Sequence, residues 1–174
     1  ITLNNGELLT FNHENKIFSE INEKIQNYYL SIRDVAISYD DNRILILAIK
    51  EEGDCHHIAL DSYNYEISDN FFSISNKNSV WKSEDLCVEN YPVEMASGGR
   101  IIIKNNSYYI STGMMFSKYG SGINSFPQDK NSSFGKILKI NLNNNNSVYS
   151  LGHRNPQGLF ISKSKNLLIS TEHG

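Results

Sequence analysis

No apolar run in this sequence is long enough to cross a bilayer as a helix. The longest, Ile44–Ile49, falls far short of the roughly 20 residues that a span requires. Positive charge is not in excess either: 16 Lys and Arg against 19 Asp and Glu leave a formal net charge of −3. A nucleic-acid partner would favour a basic patch, and this balance gives no sign of one. Cysteine is scarce. Cys55 and Cys87 stand 32 residues apart and neither belongs to a CxxC pair, which leaves zinc and thioredoxin-like patterns with little support. They read either as two buried or half-buried thiols or, in an oxidising compartment, as a disulfide. Helical periodicity is nearly missing. Only residues 17–30 space apolar side chains by four, at Ile17, Ile21 and Ile25, and the intervening Asn residues and the Tyr28-Tyr29 pair favour strand and loop there. The chain opens at Ile1 without a signal peptide and stops directly after a strand-like run, so a piece of a longer protein is expected. The absence of a targeting segment then says little about compartment.

What is present is the composition of a folded domain: 174 residues, 39% hydrophobic, 11% aromatic and 20% charged. Short strand-like runs dominate. RILILAI (43–49), RIIIK (100–104), SYYIST (107–112), KILKINL (136–142), LFIS (159–162) and NLLIST (166–171) are rich in β-branched and aromatic residues. Asp, Asn and Ser clusters punctuate them, and NLNNNN (141–146) reads as a solvated turn.

Three segments share one plan. RDVAISYDDNRILILAI (33–49), GRIIIKNNSYYISTG (99–113) and QGLFISKSKNLLISTEHG (157–174) each read as apolar strand, Asn-containing polar turn, apolar strand. Their first strands begin near Val35, Ile101 and Leu159, spaced 66 and 58 residues apart. Each repeat is therefore a hairpin plus about two further strands. A four-stranded unit repeated radially is a propeller blade, so an all-β, partial β-propeller of about three blades is expected over residues 1–174. A β-sandwich is possible but does not explain the recurrence. The repeats are longer than compact blades, and residues 114–133 form the clearest inserted loop.

GHRNPQG (152–158) places an arginine and a histidine on a tight turn between two strands. Asn155-Pro156 bends the chain, and Gly152 and Gly158 allow close backbone approach. GGRIII, YYISTG, GKILKIN, YSLGHRNPQGL and LLISTEHG occur in that order. This series resembles the soluble pyrroloquinoline quinone-dependent sugar dehydrogenases, the glucose/sorbosone dehydrogenase family. The resemblance covers roughly residues 93–174, and more weakly Ile32 to Ala59. It implies a six-bladed propeller in the full protein, with the quinone over the central channel and calcium helping to hold it. It implies oxidation of the first carbon of an aldose, a histidine taking the hydroxyl proton as hydride passes to the quinone, and a periplasmic or secreted location. Carried over by motif, Arg154 and Asn155 would face the quinone, with Arg154 stabilising the charge that builds on its oxygens. His173 falls where the family often has a glutamine near the cofactor. Gly174 falls where a backbone carbonyl binds calcium, an oxygen ligand of the kind calcium prefers.

Two positions depart from the pattern. The family's base sits in a His-x-Gly-Gly-Arg or similar string, and here the string is Ala96-Ser97-Gly98-Gly99-Arg100, with Ala96 at the base position. An alanine accepts no proton. Met114 stands where the family has an aspartate. Two functions follow as expectations: a divergent quinone-dependent sugar dehydrogenase, or a non-catalytic propeller that binds a sugar or a protein partner. Other residues have plainer readings. Arg154 pairs with Glu172 or faces the cofactor; His153 points into the blade; Arg100 anchors a turn; Trp81 packs between blades. His56-His57 are expected on an exposed edge or loop, because neighbours on a strand face opposite sides and cannot easily share a metal.

Overall fold

The structure, a computed structural model, describes residues 9–12, 14, 17–20, 25–68, 71–87, 97–115, 126–141, 143, 145–162 and 164–173. Among the described residues the regular elements are β-strands, with one 3₁₀ turn at Ile25–Tyr28. β1 (Leu9–Asn12) and β2 (Ile17–Glu20) form a small hairpin. β3 (Ser31–Ser38), β4 (Arg43–Glu52), β5 (Cys55–Ser68) and β6 (Phe71–Lys82) follow as one antiparallel sheet in chain order, and β7 (Leu86–Cys87) pairs with the start of β5. β8 (Gly98–Lys104), β9 (Ser107–Thr112), β10 (Lys136–Asn141) and β11 (Asn146–Leu151) make a second four-stranded meander. β12 (Pro156–Ser162) and β13 (Leu167–Glu172) form a further hairpin. The fold is all-β with antiparallel sheets, a partial β-propeller and not a closed barrel. Ile17–Glu20 is strand and Ile25–Tyr28 a 3₁₀ turn, in keeping with strand and loop there, while Ile21 lies outside the described residues.

The repeat is structural in detail. The turns of the three repeat hairpins hold Asn42, Asn105-Asn106 and Asn166, all with positive φ, between 48° and 55°. Asn tolerates this left-handed region better than other residues with a Cβ, which is why each turn carries one. Each hairpin also slips register at the residue that opens its repeat: at Arg33, at Gly99 and at Gln157. These are β-bulges, which bend a strand and increase its twist. The first strands then lie side by side, β3 against β8 and β8 against β12. Each contributes the unpaired edge of its sheet to this row.

Alternation explains the core. In β4, Leu45, Leu47 and Ile49 point into a cluster with Ile58, Leu60, Trp81, Ile110, Leu138 and Ile140, which fills the space between the first two sheets. Ile44, Ile46 and Ala48 point the other way, into a cluster with Ile25, Tyr29, Tyr63 and Ile74. The run RILILAI is continuous because its strand is covered on both faces. Trp81 packs between blades, as expected, and Tyr108 of β9 lies in the same cluster.

Three expectations are corrected. Cys55 and Cys87 are joined, so the free-thiol reading falls. The bond closes a loop of 32 residues, for which chain entropy alone gives about 3–4 kcal/mol. His56 and His57 lie within β5 and not on an exposed edge or loop; His57 is 5% exposed. Arg100 anchors no turn of its own hairpin. Its guanidinium sits 3.6 Å from Asp34 in the neighbouring sheet. The Asn-rich turn, by contrast, is as expected: Asn141 Oδ1 accepts from the backbone N–H groups of Asn143 and Asn145, both exposed.

Asp34 bridges the first two sheets. Its Oδ2 accepts from Ile101 N (2.8 Å) on the unpaired edge of β8, and its Oδ1 accepts from Val35 N (3.0 Å). Burial pushes its pKa up, against the opposing pull of these bonds and of Arg100. Asp34→Ala strands two amide donors in the seam. It is expected to cost about 1–3 kcal/mol in urea unfolding, whereas Asp40→Ala, on an exposed turn, should stay within about 0.5 kcal/mol of the natural protein. Equal losses for the two variants would show that the seam bonds contribute nothing.

Candidate functional site

The GHRNPQG turn joins β11 to β12, and neighbouring segments bond it from several sides. Gly152 N donates to Pro127 O (2.8 Å) and His153 N to Gly135 O (3.1 Å). The carbonyl of Arg154 accepts from Met114 N (2.8 Å), just past the end of β9. Asn155 N donates to Glu172 Oε2 (3.0 Å), and Asn155 O accepts from His173 N (3.1 Å). Ser97 O accepts from Gly113 N (2.8 Å), which brings the segment after Ala96 to the same place. Four stretches that are distant in sequence, around residues 97–98, 113–114, 153–156 and 172–173, therefore meet at one end of the second and third sheets.

Asn155 ties them together. Its Oδ1 accepts from Gly98 N (3.1 Å), and the residue is 6% exposed. Its side chain therefore holds β8 against β12, and its backbone holds the end of β13. Arg154, one residue earlier, is exposed at the turn, as is His173 across from it. Ala96 and Gly174 lie outside the described residues. Met114 is buried (7% exposed) and occupies its position as a core side chain.

Glu172 is the residue whose part the sequence reading understated. The sequence offers it as a partner for Arg154, and its carboxylate takes the residues on either side of that arginine. Oε1 lies 2.7 Å from His153 Nδ1 and Oε2 accepts from Asn155 N. A carboxylate only accepts, so Nδ1 carries the proton, and in the neutral ring Nε2 then accepts from the Ser150 hydroxyl at 2.9 Å. His153 thus points into the blade, as its position before Arg154 suggested. The visible signal was an acidic residue ending the strand that must return to the turn.

Lys136 supports the turn from behind. Fully buried, its ammonium donates to Phe126 O (2.5 Å) and Phe134 O (2.6 Å), which fixes the loop holding Pro127 and Gly135. Burial pushes its pKa down, and Asp129 and Glu84 oppose that shift. Glu84 itself accepts from Ser132 Oγ (2.7 Å) and Ser133 N (2.8 Å), which ties the same loop to the first sheet.

The family model described as Glucose / Sorbosone dehydrogenase matches residues 1–174. The chain belongs to the glucose/sorbosone dehydrogenase family. Among curated proteins no match was found. The relationship of this family member is thus with sugar-oxidising enzymes in general, and its propeller architecture agrees with that. Among the described residues no helix is long and apolar enough to cross a membrane.

Close backbone approach at the site rests on Gly98. Its φ is +67°, and a Cβ there would stand 2.7 Å from Gly113 N and 2.9 Å from Thr112 C. Gly53 also has positive φ, at +62°, but has open space around it. Gly53→Ala should cost about 1–2 kcal/mol, the price of the left-handed backbone alone. Gly98→Ala adds a collision with backbone atoms, worth about 1–3 kcal/mol more. Denaturant midpoints of the two variants test this, and a smaller loss at Gly98 than at Gly53 would contradict the tight seam.

Proposed function

We propose that this chain carries part of the cofactor rim of a quinone-dependent aldose dehydrogenase, with pyrroloquinoline quinone as cofactor and calcium beside it. The observation supporting this reading is the convergence of the motif segments at one end of the sheets, with Arg154 exposed on a turn whose backbone is bonded to its neighbours. The donor set suits such a group. A quinone bearing carboxylates presents planar anionic oxygens, and a guanidinium meets these with a pair of N–H donors. Arg154 supplies that fork, and His173 lies exposed on the same side. When bound, the quinone supplies hydride acceptance, and the carbonyl of Gly174 is the proposed calcium ligand. Asn155, which the motif also assigns to the cofactor, contributes by position: it fixes the turn that aims Arg154. The substrate class is a small sugar with a free anomeric hydroxyl.

Proton removal is where this member diverges. Ala96 has no lone pair to offer, and Met114 adds an apolar side chain where the family has an acid. Slow oxidation is therefore part of the proposal. The second reading, a non-catalytic propeller that binds a sugar or protein, draws support from the same two residues. The Cys55–Cys87 disulfide supports a periplasmic or secreted location, since such bonds persist in oxidising compartments.

The test is to add quinone and calcium to the protein and record the cofactor spectrum, then to follow dye-linked oxidation of a panel of aldoses. Binding is expected, weakened about tenfold or more in Arg154→Ala, a loss in keeping with removal of a charge-assisted pair. Little oxidation is expected in the natural protein. Ala96→His is expected to raise it, within the roughly 100- to 10,000-fold that a general base supplies. Strong activity in the natural protein would mean that another residue serves as base. No cofactor binding in any form would favour the non-catalytic reading.

A further inference from the structure

Where β4 ends and β5 begins, at the outer edge of the first sheet, lies a cluster that the proposed function does not use. Among the described residues, one group of His, Cys, Asp and Glu side chains gathers closely enough to hold a metal ion: Glu52, His57 and Asp85, whose ligand atoms all lie within 4.8 Å of one another. Glu52 ends β4, His57 lies near the start of β5, and Asp85 sits in the short link between β6 and β7.

The link is held on both sides of Asp85. Ser83 N donates to Ile58 O (2.9 Å), and Ser83 Oγ accepts from Ile58 N (3.0 Å). Two residues past Asp85, Cys87 is bonded to Cys55. Glu52 and Asp85 are exposed, whereas His57 is 5% exposed. His56 faces the other way, toward Glu51, as strand alternation requires.

A cation already sits between the carboxylates. Lys82 Nζ is 3.2 Å from Glu52 Oε2 and 3.0 Å from Asp85 Oδ1. It satisfies the two acids but not the imidazole. His57 Nδ1 is buried and has no hydrogen-bond partner, although it stands 3.3 Å from Asp85 Oδ1. An unpartnered buried nitrogen is costly. Ligand bonds of about 2.1 Å in tetrahedral geometry set neighbouring donor atoms roughly 3.4 Å apart, so Nδ1 and Oδ1 already stand at the separation that a shared ion needs.

We propose that Glu52, His57 and Asp85 form a binding site for a divalent transition-metal ion, which enters by displacing the Lys82 ammonium. One imidazole and two carboxylates suit zinc or a similar ion, with water completing the shell, while a hard ion such as calcium gains little from the imidazole. Displaced, the Lys82 ammonium keeps its proton and swings into solvent on its flexible stem. The site is independent of the quinone reading, so its test is a binding measurement and not an activity assay.

Zinc is titrated calorimetrically into the natural protein with its disulfide intact, at near-neutral pH and low salt. One equivalent is expected to bind. Asp85→Asn, an exposed change that leaves the core untouched, should weaken binding about tenfold or more, the scale on which even indirect supports of a metal act. Lys82→Ala should tighten it by a similar factor, because the competing cation is gone. His57→Gln should abolish it, with circular dichroism checking that this buried change still folds. Calcium should bind at least about tenfold more weakly than zinc. Zinc binding unchanged in both Asp85→Asn and Lys82→Ala would overturn the proposal, and so would no zinc binding in either the natural protein or Lys82→Ala. Calcium binding as tight as zinc would remove the imidazole from the site.

Discussion

Each sheet of this chain begins with a strand that has a ladder partner on one side only. β3, β8 and β12 lie next to one another with those edges facing, yet no backbone ladder joins them. The constraint is severe, because an unpaired N–H shut away from water costs more than a typical hydrogen bond returns. The chain meets it with side-chain acceptors. Asp34 takes Ile101 N across the first seam, and Asn155 takes Gly98 N across the second. Ser111 Oγ, donating to Pro156 O at 2.9 Å, adds a further bond across the second. The bulges at Arg33, Gly99 and Gln157 belong to the same solution, since a bulge re-aims an edge that would otherwise run flat against its neighbour.

This arrangement accounts for the composition of the turn between β11 and β12. A loop carrying a charged side chain at a seam would be mobile if left to itself. Here residues 152–155 are all bonded through the backbone to the ends of β9 and β13 or to the loop before β10, and the charge of Arg154 stands on that frame. Asn155 is polar for the sake of the seam, and Glu172 is acidic for the sake of the turn. Residues that look like a binding motif in the sequence thus divide into one group that faces outward and another that holds it in place.

That division marks the limit of what the sequence discloses. Strands, turns and the repeat were legible because they are local: alternation in RILILAI, Asn in the hairpin turns, and a spacing of 66 and 58 residues. The order of the motif segments was legible as well, and those described meet at one end of the sheets. Sequence alone does not say which edge meets which, because that depends on contacts between residues such as Asp34 and Ile101, 67 positions apart. Nothing in the sequence announces the bond of Asn155 to Gly98, 57 positions away. His56-His57 misled for a related reason. Alternation correctly separates the two, but it is silent about Glu52 and Asp85, which pairing and a link bring to His57 from other strands.

The corner that holds His57 has its own physical cause. β6 covers the edge of β5 from Ser68 back to Ala59, where Lys82 is the last paired residue. The chain then leaves the ladder for Ser83, Glu84 and Asp85 and returns as β7, which offers only two paired positions, Cys55 with Cys87 and His56 with Leu86. Two positions are too few to hold a strand in place by hydrogen bonds alone. The disulfide sits at one of them and supplies what the short ladder lacks. Because the excursion is closed covalently at one end and by Ser83 at the other, its charged residues are set against the end of β4 instead of trailing in solvent. The polar seams of the inner strands and the covalent closure of the outer edge are two answers to one problem, an open strand edge. Each leaves a constrained polar cluster where it acts.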